Sequence, residues 1–172
     1  KLGGGGIVRI WSAGCASGQE LYTLAICLEQ ELKRVGHPEN VMGTVTGGDL
    51  STSALAFARK GVYTKEQVKN VPPKLLDEYF DEKDETYQVG DRLRRRVRFV
   101  NEDLLSEPVS RFFDVVVCRN VLIYFSRPMH DKVLMNLHQS LRPGGYLMLG
   151  RTESLVGPPR LHYELIDAEN RI

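Results

Sequence analysis

The strongest constraint on the fold is the stretch RIWSAGCASGQELYTLAI, residues 9–26, where a strand pattern, a loop of small residues and a helix pattern follow one another. Residues 7–11 show an alternating pattern of side chains and include β-branched residues, which predicts a strand. The apolar residues of 21–28 recur at helical spacing, which predicts a helix. The loop at 12–18 lets a ligand approach the backbone closely, and free N–H groups at the start of the helix attract polar or anionic groups. This unit therefore predicts a cofactor loop.

The rest of the chain repeats the alternation of strand and helix patterns, which is typical of a parallel α/β sheet. An apolar run such as FFDVVVC indicates a strand that is buried on both faces. The further predicted strands are 41–49, 97–100, 112–118 and 146–149, and the further predicted helices are 51–60 and 129–141.

Residues of about 62–96 interrupt this alternation and predict an insertion on the main sheet. Within it, 87–89 and 93–97 are separated by a glycine-containing turn and predict a small hairpin. A last pair of strand patterns, 163–166 and 169–172, predicts closing strands or an edge hairpin.

Composition limits the class of protein. A chain of 172 residues with 42% hydrophobic residues is long enough for one domain with a core, and a net charge of +1 argues against nucleic acid as a partner. Cys15, Cys27 and Cys118 are too few and too far apart for a disulfide framework or a zinc site, which favours the cytoplasm. The four histidines have no metal-ligand spacing, so we assign them no role and expect no metal.

No apolar run reaches the roughly 20 residues that cross a bilayer, so we expect no membrane insertion. The start, KLGGGG, lacks the apolar core of a signal peptide. Residues 1–6 therefore predict a linker or a cut end, and 7–172 predict the folded domain.

The loop at 12–18 has only Gly14 and Gly18, so it lacks the closely spaced glycines of a dinucleotide-binding G-x-G-x-x-G motif. Asp49 nevertheless ends the second predicted strand, where its carboxylate can accept two hydrogen bonds from a ribose diol. A nucleoside without a pyrophosphate fits both observations, and S-adenosylmethionine is the common cofactor of that description. From these residues alone, an ordinary turn followed by an ordinary acidic residue is an equal alternative.

Four motifs carry a family resemblance: WSAGCASGQELYTLAI, DLSTSALAFARKGVY, FDVVVCRNVLIYF and LRPGGYLMLGRTESL, in this order. The chain resembles the CheR-type chemotaxis receptor methyltransferases, which are protein-glutamate O-methyltransferases. The resemblance implies a class I, Rossmann-like α/β sheet with helices on both faces and a small antiparallel β-subdomain inserted at about 62–96. It also implies S-adenosylmethionine as cofactor and S-adenosylhomocysteine as product.

The resemblance also implies site residues. Those expected to contact the cofactor are Ala13, Gly14, Cys15, Gly18, Glu20, Asp49, Leu50, Asp103, Leu104, Asn120, Val121 and Leu122. In this assignment the acid at the helix start faces the methionine part, Asp49 takes the ribose hydroxyls, and Asp103 with Leu104 flanks the adenine. Asp103 departs from the asparagine that is common in the family, which could change the adenine contacts.

Arg119 and Tyr124 are the implied catalytic residues, facing the methyl group and the incoming substrate. A glutamate side chain has a pKa of about 4.3 and is already ionised at neutral pH, so methyl transfer to it needs no general base. The enzyme must instead align the carboxylate oxygen with the methyl carbon and strip water from the nucleophile. We therefore expect Arg119 and Tyr124 to orient the carboxylate.

The implied substrate is the cytoplasmic coiled-coil region of chemoreceptors, whose glutamates become methyl esters in sensory adaptation. A receptor C-terminal peptide could add a strand to the β-subdomain. The family's N-terminal helical domain is absent from the sequence, so we expect a catalytic domain from a longer protein. Two alternatives stay open, a small-molecule O-methyltransferase and a non-catalytic signalling domain that binds S-adenosylmethionine.

Overall fold

The computed structural model of the chain describes residues 6–36, 41–107, 112–155 and 157–172. Most of the predicted linker (1–5) and His37 lie outside the described residues, and Gly6 belongs to the first strand. The strands of the central sheet are β1 (Gly6–Ala13), β2 (Val41–Asp49), β6 (Val97–Asn101), β7 (Phe113–Cys118) and β8 (Leu141–Leu149). Their order is β6-β2-β1-β7-β8 and every pairing is parallel, which confirms the predicted α/β class.

Helices cover the sheet on both faces. The long ones are α1 (Gln19–Arg34), α2 (Thr52–Lys60) and α6 (Arg127–Ser140), and the shorter ones are α3 (Lys65–Val68), α4 (Pro73–Tyr79) and α5 (Asp91–Arg94). Two turns of 3₁₀ helix lie at Leu122–Tyr124 and Pro158–His162. No helix in the described ranges is long and apolar enough to span a bilayer.

Adjacent residues of β1 face different cores, because successive strand side chains point to opposite faces of a sheet. Ile10 packs against the core under α1, where Leu21 and Ala25 are buried as their spacing predicts. Trp11 packs in the second core, against Val133 and the rest of the buried face of α6. The sheet is thus buried on both sides, as expected for parallel strands.

The predicted insertion contains a three-stranded antiparallel sheet of β3 (Val62–Thr64), β4 (Phe80–Lys83) and β5 (Thr86–Val89), in the order β3-β5-β4. The predicted hairpin of 87–89 with 93–97 is wrong, because β5 pairs with β3 and β4 while 91–94 forms α5. Leu93 is fully buried in this helical turn, so burial of one side chain overrides the local turn signal.

The predicted closing strands at 163–166 and 169–172 are also wrong. The chain there turns back at Asp167, whose side chain accepts hydrogen bonds from the backbone N–H groups of Glu169 and Asn170. The backbone N–H of Leu149 donates to the carbonyl of Arg171, which is the link between β8 and this turn. These side-chain acceptors, together with the reciprocal backbone bonds between Asp167 and Ile172, close a tight turn in place of a strand ladder.

A buried ion cluster joins the insertion to the main sheet. Glu29 of α1 has no solvent exposure, and its two carboxylate oxygens meet the guanidinium groups of Arg96 and Arg92. Arg92 belongs to α5, and Arg96 lies just before β6. Arg92 and Arg96 thus neutralise an internal acid.

The carboxyl ends of the parallel strands meet at one edge of the sheet, which we call the carboxyl edge. Connections leave β1 toward β2 on one side, while β7 lies on its other side. This divergence is the topological switch point at which open α/β sheets bind ligands. It places the ends of β1, β2 and β7, at Ala13, Asp49 and Cys118, beside one another.

Candidate active site

The loop after β1 lies against the loops after β2 and β7. The backbone N–H groups of Gly14 and Cys15 donate to the carbonyl of Gly48, at 2.8 and 2.9 Å. Gly14 has a φ of +76°, and a Cβ atom there would lie 2.6 Å from Cγ2 of Val121. Only glycine fits this backbone shape and this close approach, so the structure brings two of the predicted cofactor residues, Gly14 and Val121, into contact.

Asp49 fixes the same loop. One carboxylate oxygen accepts from the backbone N–H of Ala16 at 2.8 Å, and the other accepts from the N–H of Ser51 at 2.8 Å. A carboxylate has about four lone-pair sites, so each oxygen keeps acceptor capacity for another donor. This fits a pair of ribose hydroxyls at the end of β2.

Glu20, in the first turn of α1, lies between the loop and Arg119. The hydroxyl of Ser12 donates to Oε1 of Glu20 at 2.9 Å, and Nη1 of Arg119 lies 3.5 Å from Oε2. Burial raises the pKa of Glu20, and the Ser12 hydrogen bond and the Arg119 charge oppose that rise. The long separation makes this a loose ion pair whose arginine remains 45% exposed and available to another carboxylate.

The loop 119–125 follows β7. Asn120 has a φ of +58°, and a 3₁₀ turn brings the N–H of Tyr124 to the carbonyl of Val121. The side chain of Tyr124 is 82% exposed, so it is accessible from solvent. Leu122 is buried in the α6 core, so its side chain packs inside the protein.

Asp103 and Leu104 belong to the turn after β6. The carboxylate of Asp103 accepts from the N–H of Leu105 at 2.9 Å, and Asn136 of α6 donates to the carbonyls of Leu104 and Ser106. Leu50, by contrast, is 69% exposed. Three of the predicted residues therefore lie beside the site, namely Asp103, Leu104 and Leu50. None of the described contacts joins them to the pair of Glu20 and Arg119.

Three residues of this region have no role in the sequence analysis. Glu153, just after β8, accepts hydrogen bonds from the backbone of loop 119–125. His130 of α6 donates through Nε2 to the carbonyls of Leu122 at 2.8 Å and Phe125 at 3.1 Å. Asn136 holds the turn after β6. The only signal for Glu153 is its place in the GRTESL motif; nothing local marks the other two.

Glu102 forms an internal polar contact at the same edge. Its carboxyl accepts a hydrogen bond from the indole N–H of Trp11 at 2.7 Å. Burial raises the pKa of Glu102 to about 7, against the opposing effect of this hydrogen bond. A Cβ atom at residue 48 would collide with this carboxyl, so Gly48 leaves the space that the Glu102 side chain occupies.

The buried cysteines pack rather than react. Burial, with Asp49 nearby, raises the pKa of the Cys15 thiol to about 12, and burial likewise raises the pKa of Cys118. A protonated thiol is a poor nucleophile and a poor metal ligand. In the described ranges no three His, Cys, Asp or Glu side chains are grouped so that they could hold a metal.

A groove of about 910 Å³ lies elsewhere, between the end of α6, β8 and the C-terminal turn. Its lining mixes apolar side chains with Arg142 and Arg160, and it includes Glu153 but none of the predicted cofactor or catalytic residues. The groups that give the candidate site its chemistry therefore lie in the loops of the carboxyl edge, and this groove is a separate feature.

Comparison with known proteins identifies the family. A profile described as "CheR methyltransferase, SAM binding domain" matches residues 2–171. The chain is 39% identical over 170 residues to Chemotaxis protein methyltransferase 1 of Pseudomonas aeruginosa, covering 96% of this chain and 61% of that protein. It is 35% identical over 161 residues to the Chemotaxis protein methyltransferase of Borreliella burgdorferi, covering 91% and 56%.

Structural comparison gives the same fold. The glycopeptide N-methyltransferase MtfA complexed with sinefungin superposes with a TM-score of 0.53 at 17% identity, over 83% of this chain and 42% of that one. The chain spans 56% to 61% of the length of its two curated relatives above. Because the profile covers nearly all of the sequence and the strand ends form the expected edge, the chain belongs to the CheR methyltransferase family and is its SAM-binding domain.

Proposed function

We propose that this domain methylates glutamate side-chain carboxylates in the cytoplasmic coiled-coil region of chemotaxis receptors, giving the methyl esters of sensory adaptation. The observation that carries this function is the loose pair of Glu20 and Arg119 beside the exposed Tyr124, at the carboxyl edge. Its relatives are named chemotaxis protein methyltransferases, which supports the same substrate class.

The donor set of the carboxyl edge fits S-adenosylmethionine. Asp49 keeps free lone pairs for the ribose hydroxyls, Glu20 supplies a carboxylate for the ammonium or sulfonium, and Gly14 leaves the backbone open to close approach. Ala13, Cys15 and Gly18 shape the same loop, and Asn120 and Val121 form the opposite wall. When bound, the cofactor supplies an electrophilic methyl group.

The chain's own task is to position and desolvate the substrate. Arg119 releases its long contact with Glu20 to orient the incoming glutamate, and the exposed Tyr124 hydroxyl donates a second hydrogen bond. A tight bidentate pair would lower the nucleophilicity of the carboxylate, and the partial exposure of Arg119 is consistent with a weaker contact. No residue has to remove a proton, because the substrate is already ionised.

Replacing Arg119 by alanine should lower kcat for receptor methylation about 100-fold, and Tyr124→Phe about 10-fold, with affinity for S-adenosylhomocysteine nearly unchanged. The reason is that both side chains orient the acceptor. The measurement is incorporation of base-labile methyl groups into a receptor cytoplasmic fragment. Arg160→Ala and Tyr146→Phe are matched controls on exposed residues away from the edge.

Normal turnover in both Arg119→Ala and Tyr124→Phe would remove these residues from the mechanism. Methylation of a small carboxylate or hydroxyl compound without any receptor would favour a small-molecule enzyme. Tight cofactor binding with no acceptor at all would favour a non-catalytic signalling domain.

A receptor C-terminal peptide is the second partner in this scheme. The strand order β3-β5-β4 leaves β4 as an edge strand of the small sheet, and its residues Asp81 to Lys83 are exposed. An exposed edge can take an extended peptide as an added strand. Calorimetric titration with a synthetic receptor C-terminal peptide should give micromolar binding, and no binding at millimolar peptide would contradict this docking while leaving methylation untouched.

A further inference from the structure

The carboxylate of Glu153 is surrounded by backbone amides. Its Oε1 accepts from the N–H groups of Val121 and Leu122, both at 2.9 Å, and its Oε2 accepts from Asn120 at 3.0 Å and Gly150 at 2.8 Å. The residue is 4% exposed. Throughout the described part of the chain, no lysine, arginine or histidine forms an ion pair with it.

A buried carboxylate bonded in this way destabilises the fold unless all of its hydrogen-bond partners are present. A buried charge needs compensation, and among the described residues the compensation comes from amide dipoles. Conversely, three successive amides of a loop would lose their acceptor if the carboxylate were removed. One side chain therefore determines the backbone path of residues 120–122, including the left-handed conformation of Asn120.

The backbone path of residues 120–122 positions the residues proposed to act in the reaction, which lie before and after it in the chain. Arg119 immediately precedes the three amides, and the N–H of Tyr124 is bonded to the carbonyl of Val121. The side chain of Val121 packs on the backbone of Gly14. His130 holds the carbonyls of Leu122 and Phe125, so the loop is bound through its amides on one side and its carbonyls on the other.

We infer that Glu153 is the positioning residue of loop 119–125. Its carboxylate holds the amides of Asn120, Val121 and Leu122. As a result, Val121 stays against Gly14, while Arg119 and Tyr124 face the acceptor. Glu153 is buried beneath the loop and does not touch substrate. This role of Glu153 rests on the proposed function for what Arg119 and Tyr124 do. The hydrogen bonds from the backbone amides to Glu153, however, are a property of the ligand-free chain.

The first test needs no variant. In the ligand-free chain, the amides of Asn120, Val121 and Gly150 lie outside any helix or sheet ladder, yet they should exchange hydrogen with solvent about 100-fold more slowly than the amides of Arg151 and Thr152. Exchange of all three at ordinary loop rates would overturn the inference, whatever a variant does.

The second test is Glu153→Gln, which keeps the shape but offers one oxygen and points an NH₂ group at amides that need an acceptor. Exchange at 120–122 should accelerate about 10-fold or more, and the dissociation constant of S-adenosylhomocysteine should rise about 10-fold. Glu164→Gln, an exposed acid in the same part of the chain, should change neither.

Combining Glu153→Gln with Val121→Ala separates positioning from general stability. If Glu153 acts through Val121, the double variant binds S-adenosylhomocysteine no more weakly than Glu153→Gln alone. Additive losses, or faster exchange spread evenly over both cores, would overturn the inference. A chain that shows the local protection and the coupling but methylates no receptor would disprove the proposed function and leave the positioning role standing.

Discussion

Asp49→Ala should weaken binding of S-adenosylhomocysteine by about 100-fold or more, which is the largest effect expected on cofactor binding. Hydrogen bonds to a charged acceptor contribute about 1.5 to 3 kcal/mol each, and the variant removes the free lone pairs of both oxygens at once. It also releases the N–H groups of Ala16 and Ser51, so the loop after β1 loses its anchor. Calorimetric titration of the ligand into the purified chain measures this directly.

Two further variants make the Asp49 result specific. Asp49→Asn keeps one acceptor oxygen and should retain an intermediate affinity, whereas Asp81→Ala, on the exposed strand β4, should bind like the unaltered chain. Wild-type affinity in a folded Asp49→Ala chain would exclude a ribose contact at this residue. The nucleoside would then have to be held by the turn after β6 or by the loop after β7.

Glu29→Ala should produce the largest loss of stability, about 3 to 5 kcal/mol in the free energy of unfolding. The variant leaves two guanidinium groups without their carboxylate, and Arg96 lies mostly inside the protein. Arg92 is half exposed and regains water, which favours the lower end of that range. Chemical denaturation at pH 7 gives the value, and Glu31→Ala, whose carboxylate pairs with Arg34 at the surface, should cost less than about 1 kcal/mol.

The contribution of Glu29 to the free energy of unfolding should also depend on pH. Burial acts to raise the pKa of Glu29, but the hydrogen bonds and charges of Arg96 and Arg92 outweigh it and hold that pKa below its ordinary value of 4.5. A carboxylate with a lowered pKa stabilises the folded state above its ordinary pKa and loses that contribution as the pH falls through the folded value. The difference between the unaltered chain and Glu29→Ala should therefore be constant from pH 6 to 8 and shrink below pH 4.5. A difference that grew on acidification would contradict the cluster.

The part of the fold that could be predicted rests on strong local patterns. The strand, loop and helix of residues 7–28 combine β-branched alternation with a helical apolar face, and Asp49 follows a strand, so their positions needed no long-range information. The buried strand β7 was equally clear from its composition. These elements already define the carboxyl edge.

The elements that could not be predicted depend on distant partners. Strand β4 lies in an acidic stretch with exposed polar side chains, and it becomes a strand only because β5 pairs with it. The turn after Gly90 becomes α5 because Leu93 fills the core under α1. Glu153 meets amides about thirty residues earlier in the chain, and no local period encodes that contact.

The contact between Trp11 and Glu102 has an optical consequence. The chain contains one tryptophan, so its tryptophan emission has a single source. Its indole N–H is bonded to a carboxyl with a pKa of about 7, one strand end away from Asp49. The emission of this one indole should therefore report on the environment of the carboxyl edge, because the ring is bonded to an acid whose backbone N–H donates to the carbonyl of Asp49.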